Sequence, residues 1–448
     1  MMRSMFSGVS GLRTHQTRMD VIGNNVANVN TVGFKSGRVT FQEVFNQTLR
    51  GAGAPDAALG RGGTNPMQIG LGTGVGAIDT IMTRGSAQRT DNPTDLSIEG
   101  EGFFVVKGSN ADTFKFTRAG NFGLDKLGNL VSGSGMNVYG WMERKQDEPA
   151  KFNTEGEIKP INLYNDEFNG NKRIISPVAT TSAKFTGNLN SSFAGVATMP
   201  TDPDPSNAQF SVPFTAYDSL GNAHEYNISY WRQDPASDNT WDYIVFEKGI
   251  DATTGKVKYD EVDAIGTGGS GTLEFDSKGN LTTPATSITP ISITYDGIEP
   301  LTITPDFSGV TMYSADCSVK PTDINGYTTG NLVTFNIGSD GVLTGIYSNG
   351  QQQSLGMVAL ASFSNPAGLQ KVGDNLFIPT TNSGDFNKAV QAGSEGVGSL
   401  SPGTLEMSNV DLSREFTDMI ITQRGFQANS RIITTSDEML QELVNLKR

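Results

Sequence analysis

The 448-residue sequence predicts a multidomain α+β protein, helical at both ends and mainly antiparallel β between them. Three observations carry this reading. All 19 prolines lie between Pro55 and Pro402, so both ends lack the residue that breaks helices. Apolar residues recur every seven positions near both ends, whereas the middle alternates apolar and polar. The chain also exceeds the roughly 250–300 residues at which a single core usually divides.

In the first element, Met5, Leu12, Met19 and Val26 hold the seven-residue repeat, with Val9 and the polar Gln16 four residues after the first two. Such a repeat keeps one narrow stripe facing a partner, as in a coiled-coil seam. Asn24, Asn25, Asn28 and Asn30 are poor helix formers with hydrogen-bonding amides, so the helix should end among them. After Thr31, Gly33 can turn the chain and Phe34 can anchor it.

A glycine-rich connector follows, with flexible stretches expected at 51–63, 199–206 and 266–271. The run from Gly70 to Gly76 has neither the spacing nor the strand-to-helix setting of a nucleotide loop, and reads as a glycine-rich strand or connector. Phe114–Thr117, His224–Trp231, Ser287–Thr289 and Ile291–Tyr295 alternate as strands do. An Asp-x-x-Gly-Asn sequence occurs at Asp125, Asp218 and Asp276, and predicts three hairpin turns in which Asp caps the turn and Gly takes positive φ. The alternating acids of a calcium loop are absent from all three.

At the end of the chain, Leu412, Met419, Phe426, Ile433 and Leu440 repeat every seven residues. Phe416 and Val444 occupy companion positions, where Gln423, Ser430 and Asp437 are polar. Ser408 with Asp411 resembles a capping box, which predicts a helix from Asn409 onward. Residues 1–50 carry six basic and two acidic side chains, and residues 405–448 seven acidic and five basic, so the two ends attract modestly. The same patterns suit helices that pack on a core of their own. One seam alone buries too little to order two long helices, so the ends are expected to be loose in a free subunit and to order on assembly with neighbouring copies.

The composition argues against several functions. A net charge of −14 disfavours a nucleic-acid partner. Cys317 is the only cysteine, which rules out an intrachain disulfide or a cysteine zinc cluster, and it reads as a small packed hydrophobe. His15 and His224 have no paired ligand at metal spacing, no Gly-x-Ser-x-Gly elbow occurs, and the acids are scattered. Neither an enzyme nor a cofactor is expected. No apolar run is long enough to span a membrane. The first residues lack the apolar core of a cleaved signal peptide, so composition alone points to the cytoplasm.

Several segments resemble those of flagellar axial proteins, the family of rod, hook and hook-associated subunits. They are DVIGNNVANVNTVGFKSGRVTF (20–41), IEGEGFFVV (98–106), FTRAGNFGLDKLGNLVSGSGMNVYGW (116–141), YDSLGNAH (217–224), LGMVALASFSNPAGLQKVGDNLF (355–377) and the whole of 408–448. The resemblance implies a hook-type subunit of the bacterial flagellum that polymerises into a curved, hollow joint transmitting torque. It implies an inner coiled-coil layer from 1–32 and 408–448, connectors at 33–86 and 373–407, an inner β domain from 87–146 and 300–372, and an outer β domain at 147–299. Implied partners are further copies in a helical homopolymer, the distal rod protein, the hook cap, the hook–filament junction proteins and the flagellar type III export apparatus. The implied location is extracellular, reached without a cleaved peptide, which replaces the cytoplasmic expectation. The signature residues Asn24, Asn25, Asn28, Asn30, Thr31, Gly33 and Phe34 would then serve contacts between subunits. Residues 48–68 lengthen the connector in the manner of the distal rod protein, so a rod subunit is the nearest alternative. The inserted outer domain favours the hook, and a secreted β-rich adhesin is more remote. The insertion is read as an arm reaching neighbouring subunits.

Overall fold

A computed structural model describes the chain except residues 1, 56–61, 109–112, 146–150, 167–169, 197–202, 234–238, 251–256, 263–265, 283–288, 395 and 447–448. Ser287 and Ile288 of one expected strand therefore lie outside the described residues, as do parts of the 51–63 and 199–206 connectors and of the 48–68 insertion. The fold is α+β, with helices at the two ends and a mostly antiparallel β body. It divides into two compact units, one of residues 1–172, 335–345 and 353–448, the other of 173–334 and 346–352.

In the first unit, helix α1 (Met2–Ala27) unwinds in the asparagine-rich stretch, as expected from the poor helix propensity there. Strands β1 (Gly37–Glu43) and β4 (Thr73–Thr80) pair antiparallel, and between them β2 (Asn46–Arg50) and β3 (Met67–Gly70) form a second two-stranded ladder. The glycine run at 70–76 is thus the end of one strand and the start of the next. The β body of this unit orders the strands Gln352–Ala361, Asn137–Trp141, Phe103–Lys107, Lys115–Thr117, Leu376–Ile378 and Gln370–Lys371 side by side, each pair antiparallel. Phe103, Val105, Phe116 and Phe377 of these strands, with Phe363 just beyond Ala361, are buried in one apolar cluster with edge-to-face ring contacts. The returning chain then pairs Ser399–Pro402 with Leu96–Glu99 and Thr404–Glu406 with Ala87–Arg89 before entering helix α2 (Leu412–Asn445).

Helix α2 is capped differently from the expected box. Asp411 is itself the N-cap, its Oδ1 accepting from the backbone N–H groups of Ser413 at 2.9 Å and Arg414 at 3.3 Å. Ser408 lies outside the helix, and its hydroxyl accepts from Val410 N–H at 3.3 Å.

Among the described residues, the core of the second unit comprises two five-stranded sheets. One orders Gly266–Thr267, Ile291–Ile293, Leu301–Tyr313, Ser182–Asn190 and Lys320–Ile324. The other orders Phe210–Tyr217, Ala223–Arg232, Thr240–Ile250 and Val257–Glu261, with Ser270–Glu274 also on Thr240–Ile250. Phe185, Phe214, Tyr226, Ile228, Trp241, Val245, Ile303 and Phe307 meet in their common core. Ser182–Asn190 runs parallel to Leu301–Tyr313 on one side and antiparallel to Lys320–Ile324 on the other. The parallel pairing draws 301–313 into this unit, which therefore extends past residue 299, the border that the family resemblance implied.

The three Asp-x-x-Gly-Asn turns share one geometry. In each, the Asp Oδ1 accepts from the backbone N–H groups two and four residues on, and Oδ2 accepts from the Asn side chain. Gly128, Gly221 and Gly279 all have positive φ, between 80° and 89°.

Candidate assembly site

The two end helices lie against each other antiparallel. Ser4 Oγ is 3.4 Å from Ser436 Oγ, Arg18 donates to Asp418 Oδ1 at 2.9 Å, and the Asn25 amide donates to Glu415 Oε1 at 3.1 Å. Glycines permit the close approach between these polar links. A Cβ on Gly11 would stand 2.8 Å from Asn429 Oδ1, and one on Gly425 would stand 2.7 Å from His15 Cε1. On α1 the buried line runs through Gly8, Gly11, Thr14, Ile22 and Asn25. Met5, Leu12, Met19 and Val26 flank it half-buried, one position away from the line, and Val9 is exposed. On α2, Met419, Phe426, Ile433 and Leu440 are half-buried beside Thr422 and Ser436, which are buried. The companion positions fall three residues on (Glu415, Thr422, Asn429 and Ser436), not four, so Phe416 and Val444 face outward, and Leu412 at the head of the repeat is exposed as well. Apart from the buried Ile22, large apolar side chains thus border the seam, while small and polar ones fill it.

The outer faces of the pair are consequently apolar. Phe416 is 50% exposed, Ile420 59% and Ile421 56%, with Phe6, Ile432, Met439 and Leu443 also exposed. Apolar exposure on this scale along two helices marks an interaction surface. An open cleft of about 160 Å³ at the Asp411 end of the seam is lined by Arg18, Ile22, Arg38, Asp411, Arg414 and Glu415, among others. Burial lowers the His15 pKa, with Arg18 adding to the effect, and burial raises that of Glu415.

Beyond the helix, the chain is fixed at almost every residue from Val32 to Gly37. Gly33 has φ +68°, and a Cβ there would stand 2.6 Å from Ala119 N, so no other residue fits. Gly33 N–H donates to Glu406 O at 2.7 Å, and the Asn375 amide donates to Val32 O at 3.0 Å. Lys371 lies over the buried Phe34 ring and donates to Lys35 O at 2.8 Å. Ser36 N–H donates to Asn409 Oδ1 at 2.8 Å, and Gly37 N–H donates to Asn25 Oδ1 at 2.9 Å.

At the centre sits a buried triad. Lys35 Nζ donates to Glu406 Oε1 at 2.6 Å and to Thr83 O at 2.9 Å. Arg118 donates to Glu406 Oε2 at 3.3 Å and to Gly100 O at 2.9 Å. Burial pushes both cations toward their neutral forms, and the carboxylate between them opposes that. The site therefore holds three distant stretches of chain in one geometry.

Of the signature residues, Asn25, Gly33 and Phe34 are buried here. Asn24, Asn28 and Thr31 form a local chain at the helix end, with Asn28 donating to Asn24 O and Thr31 to Asn28 Oδ1, and Asn30 is exposed. Lys35, Arg118, Lys371, Asn375, Glu406 and Asn409 were not singled out from sequence. Their one signal was that Lys35, Arg118, Lys371, Asn375 and Asn409 stand inside the family-like segments, with nothing to link them. Among the described residues, no cluster of three or more His, Cys, Asp or Glu could hold a metal, and no helix is long and apolar enough to cross a membrane.

Four family models match in chain order: flagella basal body rod protein at 5–35, flagellar hook protein FlgE/F/G D1 domain at 97–166, flagellar basal body protein FlaE D2 domain at 188–327, and flagellar basal body rod FlgEFG protein C-terminal at 401–446. The flagellar hook protein FlgE of Borreliella burgdorferi is 40% identical over 463 residues, and that of Treponema pallidum 39% over 488, each covering 100% of both chains. The flagellar basal-body rod protein FlgG of Bacillus subtilis is 32% identical over 448 residues, again with 100% of both chains covered. With the helical ends, the β body between them and this full-length identity, the chain belongs to the flagellar hook protein family.

Proposed function

We propose that this structural hook subunit polymerises through the outer faces of its end helices, whose paired seams form the innermost, coiled-coil layer around a channel. The observation that carries the reading is the apolar stripe through Phe416, Ile420 and Ile421, which the pairing of α1 with α2 leaves uncovered. Copies packed side by side would bury it, and would supply the contacts that a single helix pair lacks. Met5, Val9, Leu12, Met19 and Val26 on α1, with Leu412, Phe416 and Val444 on α2, are then contacts between copies at least as much as within one. The β units would face outward and slide past one another as the joint turns, in keeping with modest, polar contact areas. Further partners on this reading are the distal rod protein, the hook cap, the hook–filament junction proteins and the type III export apparatus, which delivers the subunit outside the cell without a cleaved peptide.

The test is Phe416→Asp with Ile420→Asp in the full chain. Purified parent protein should form curved hollow tubes by electron microscopy, and the double variant should remain monomeric with unchanged β circular dichroism. Tubes formed normally by the variant would refute the surface. A straight rod is the second reading, favoured by the full-length rod relative, and straight tubes would establish it.

A further inference from the structure

In the second unit, one histidine sits between two carboxylates where its two sheets meet. His224, on Ala223–Arg232, has Nδ1 3.2 Å from Glu247 Oε1 and Nε2 3.4 Å from Asp218 Oδ2. Its ring stacks on Tyr295, with centroids 4.2 Å apart. The Tyr295 hydroxyl donates to the same Glu247 oxygen at 2.7 Å and lies 2.7 Å from the Tyr226 hydroxyl. Asp218, His224, Tyr226 and Glu247 belong to one sheet and its turn, whereas Tyr295 follows Ile291–Ile293 of the other.

The fold contains its own control. The turns at Asp125 and Asp276 have the same hydrogen bonds as the turn at Asp218, and neither needs a histidine. His224 is therefore an addition to the turn and not a requirement of it. A neutral imidazole has a single N–H and can donate to only one of the two carboxylates, leaving a ring lone pair facing the other. The imidazolium donates to both, and its bonds are charge-assisted.

We propose that His224 is a protonation-controlled latch between the two sheets of this unit. The charged ring ties Asp218 to Glu247 and holds Glu247 where Tyr295 can reach it. The neutral ring frees one carboxylate and loosens the Tyr295 segment. The ionisable groups facing the ring are Asp218 from the turn, Tyr226 on its own strand, Glu247 on the neighbouring strand and Tyr295 from the opposite sheet. Lys248 and Glu225 pair with each other at the exposed side of the same strands.

The test is amide exchange of the full chain at about pH 5.5 and about pH 7.5, corrected for intrinsic rates. Peptides spanning 218–226 and 291–300 should be about tenfold better protected at the lower pH, while the Asp125 turn should not change. His224→Phe, which keeps the stack, and Glu247→Gln should each abolish the difference. Equal protection of the parent protein at both pH values would overturn the latch, as would a difference that survives in either folded variant.

Discussion

Glu406 divides its two oxygens between Lys35 and Arg118, and all three side chains are almost completely buried. Glu406→Gln would leave two cations facing each other without a counter-charge. We expect the full chain to lose about 3–5 kcal/mol in denaturant unfolding, and a loss below about 1 kcal/mol would show that packing alone holds the junction. His15 supports a second residue-level expectation. Burial places its folded pKa below the ordinary 6.5, so its contribution is complete above that value and is lost as pH falls through the lowered one. Glu415, raised from 4.5 by burial, acts in the opposite sense: its contribution is complete below 4.5 and is lost as pH rises through its raised value. Corrected for intrinsic rates, amide protection of residues 8–22 should therefore fall on acidification below about pH 6.5, and His15→Gln should remove that step. An identical response in both proteins would put the titrating group elsewhere.

Among the elements, the β2–β3 ladder is exposed along both strands, with Leu49, Met67 and Ile69 in the open. Two strands without a third are marginal in water, so we propose that this arm is covered by neighbouring copies. Deleting residues 48–68 should weaken or stiffen hooks, read as lost motility, with the β body intact. Unchanged assembly and motility would remove the arm from the account. The helices were legible in sequence because a seven-residue repeat is a local signal. Their seam was not, because a search for large apolar residues passes over Gly8, Gly11 and Gly425, where backbones come closest. The three Asp turns were legible for the same local reason, since the Asp side-chain bonds that shape each turn lie within five residues. The junction was half legible. Gly33 and Phe34 announced a turn and an anchor, but nothing in the order of residues joins Lys35 to Arg118 and Glu406.

At the scale of the molecule, the end of the chain completes what its beginning starts. Arg18 and its partner Asp418 are 400 positions apart, and Lys35 and Glu406 are 371 apart. Closing so long a loop costs little more free energy than closing a shorter one, because that cost grows only with the logarithm of length. Time is a different matter. A polypeptide delivered from its first residue onward presents α1 and the 32–37 segment long before their partners exist. The strand Leu96–Glu99 waits likewise for Ser399–Pro402. A subunit cut short before Glu406 would have an unneutralised lysine at its centre and an unpaired first helix. Completion is thus one late event, and a fragment has no stable way to pass for a whole subunit.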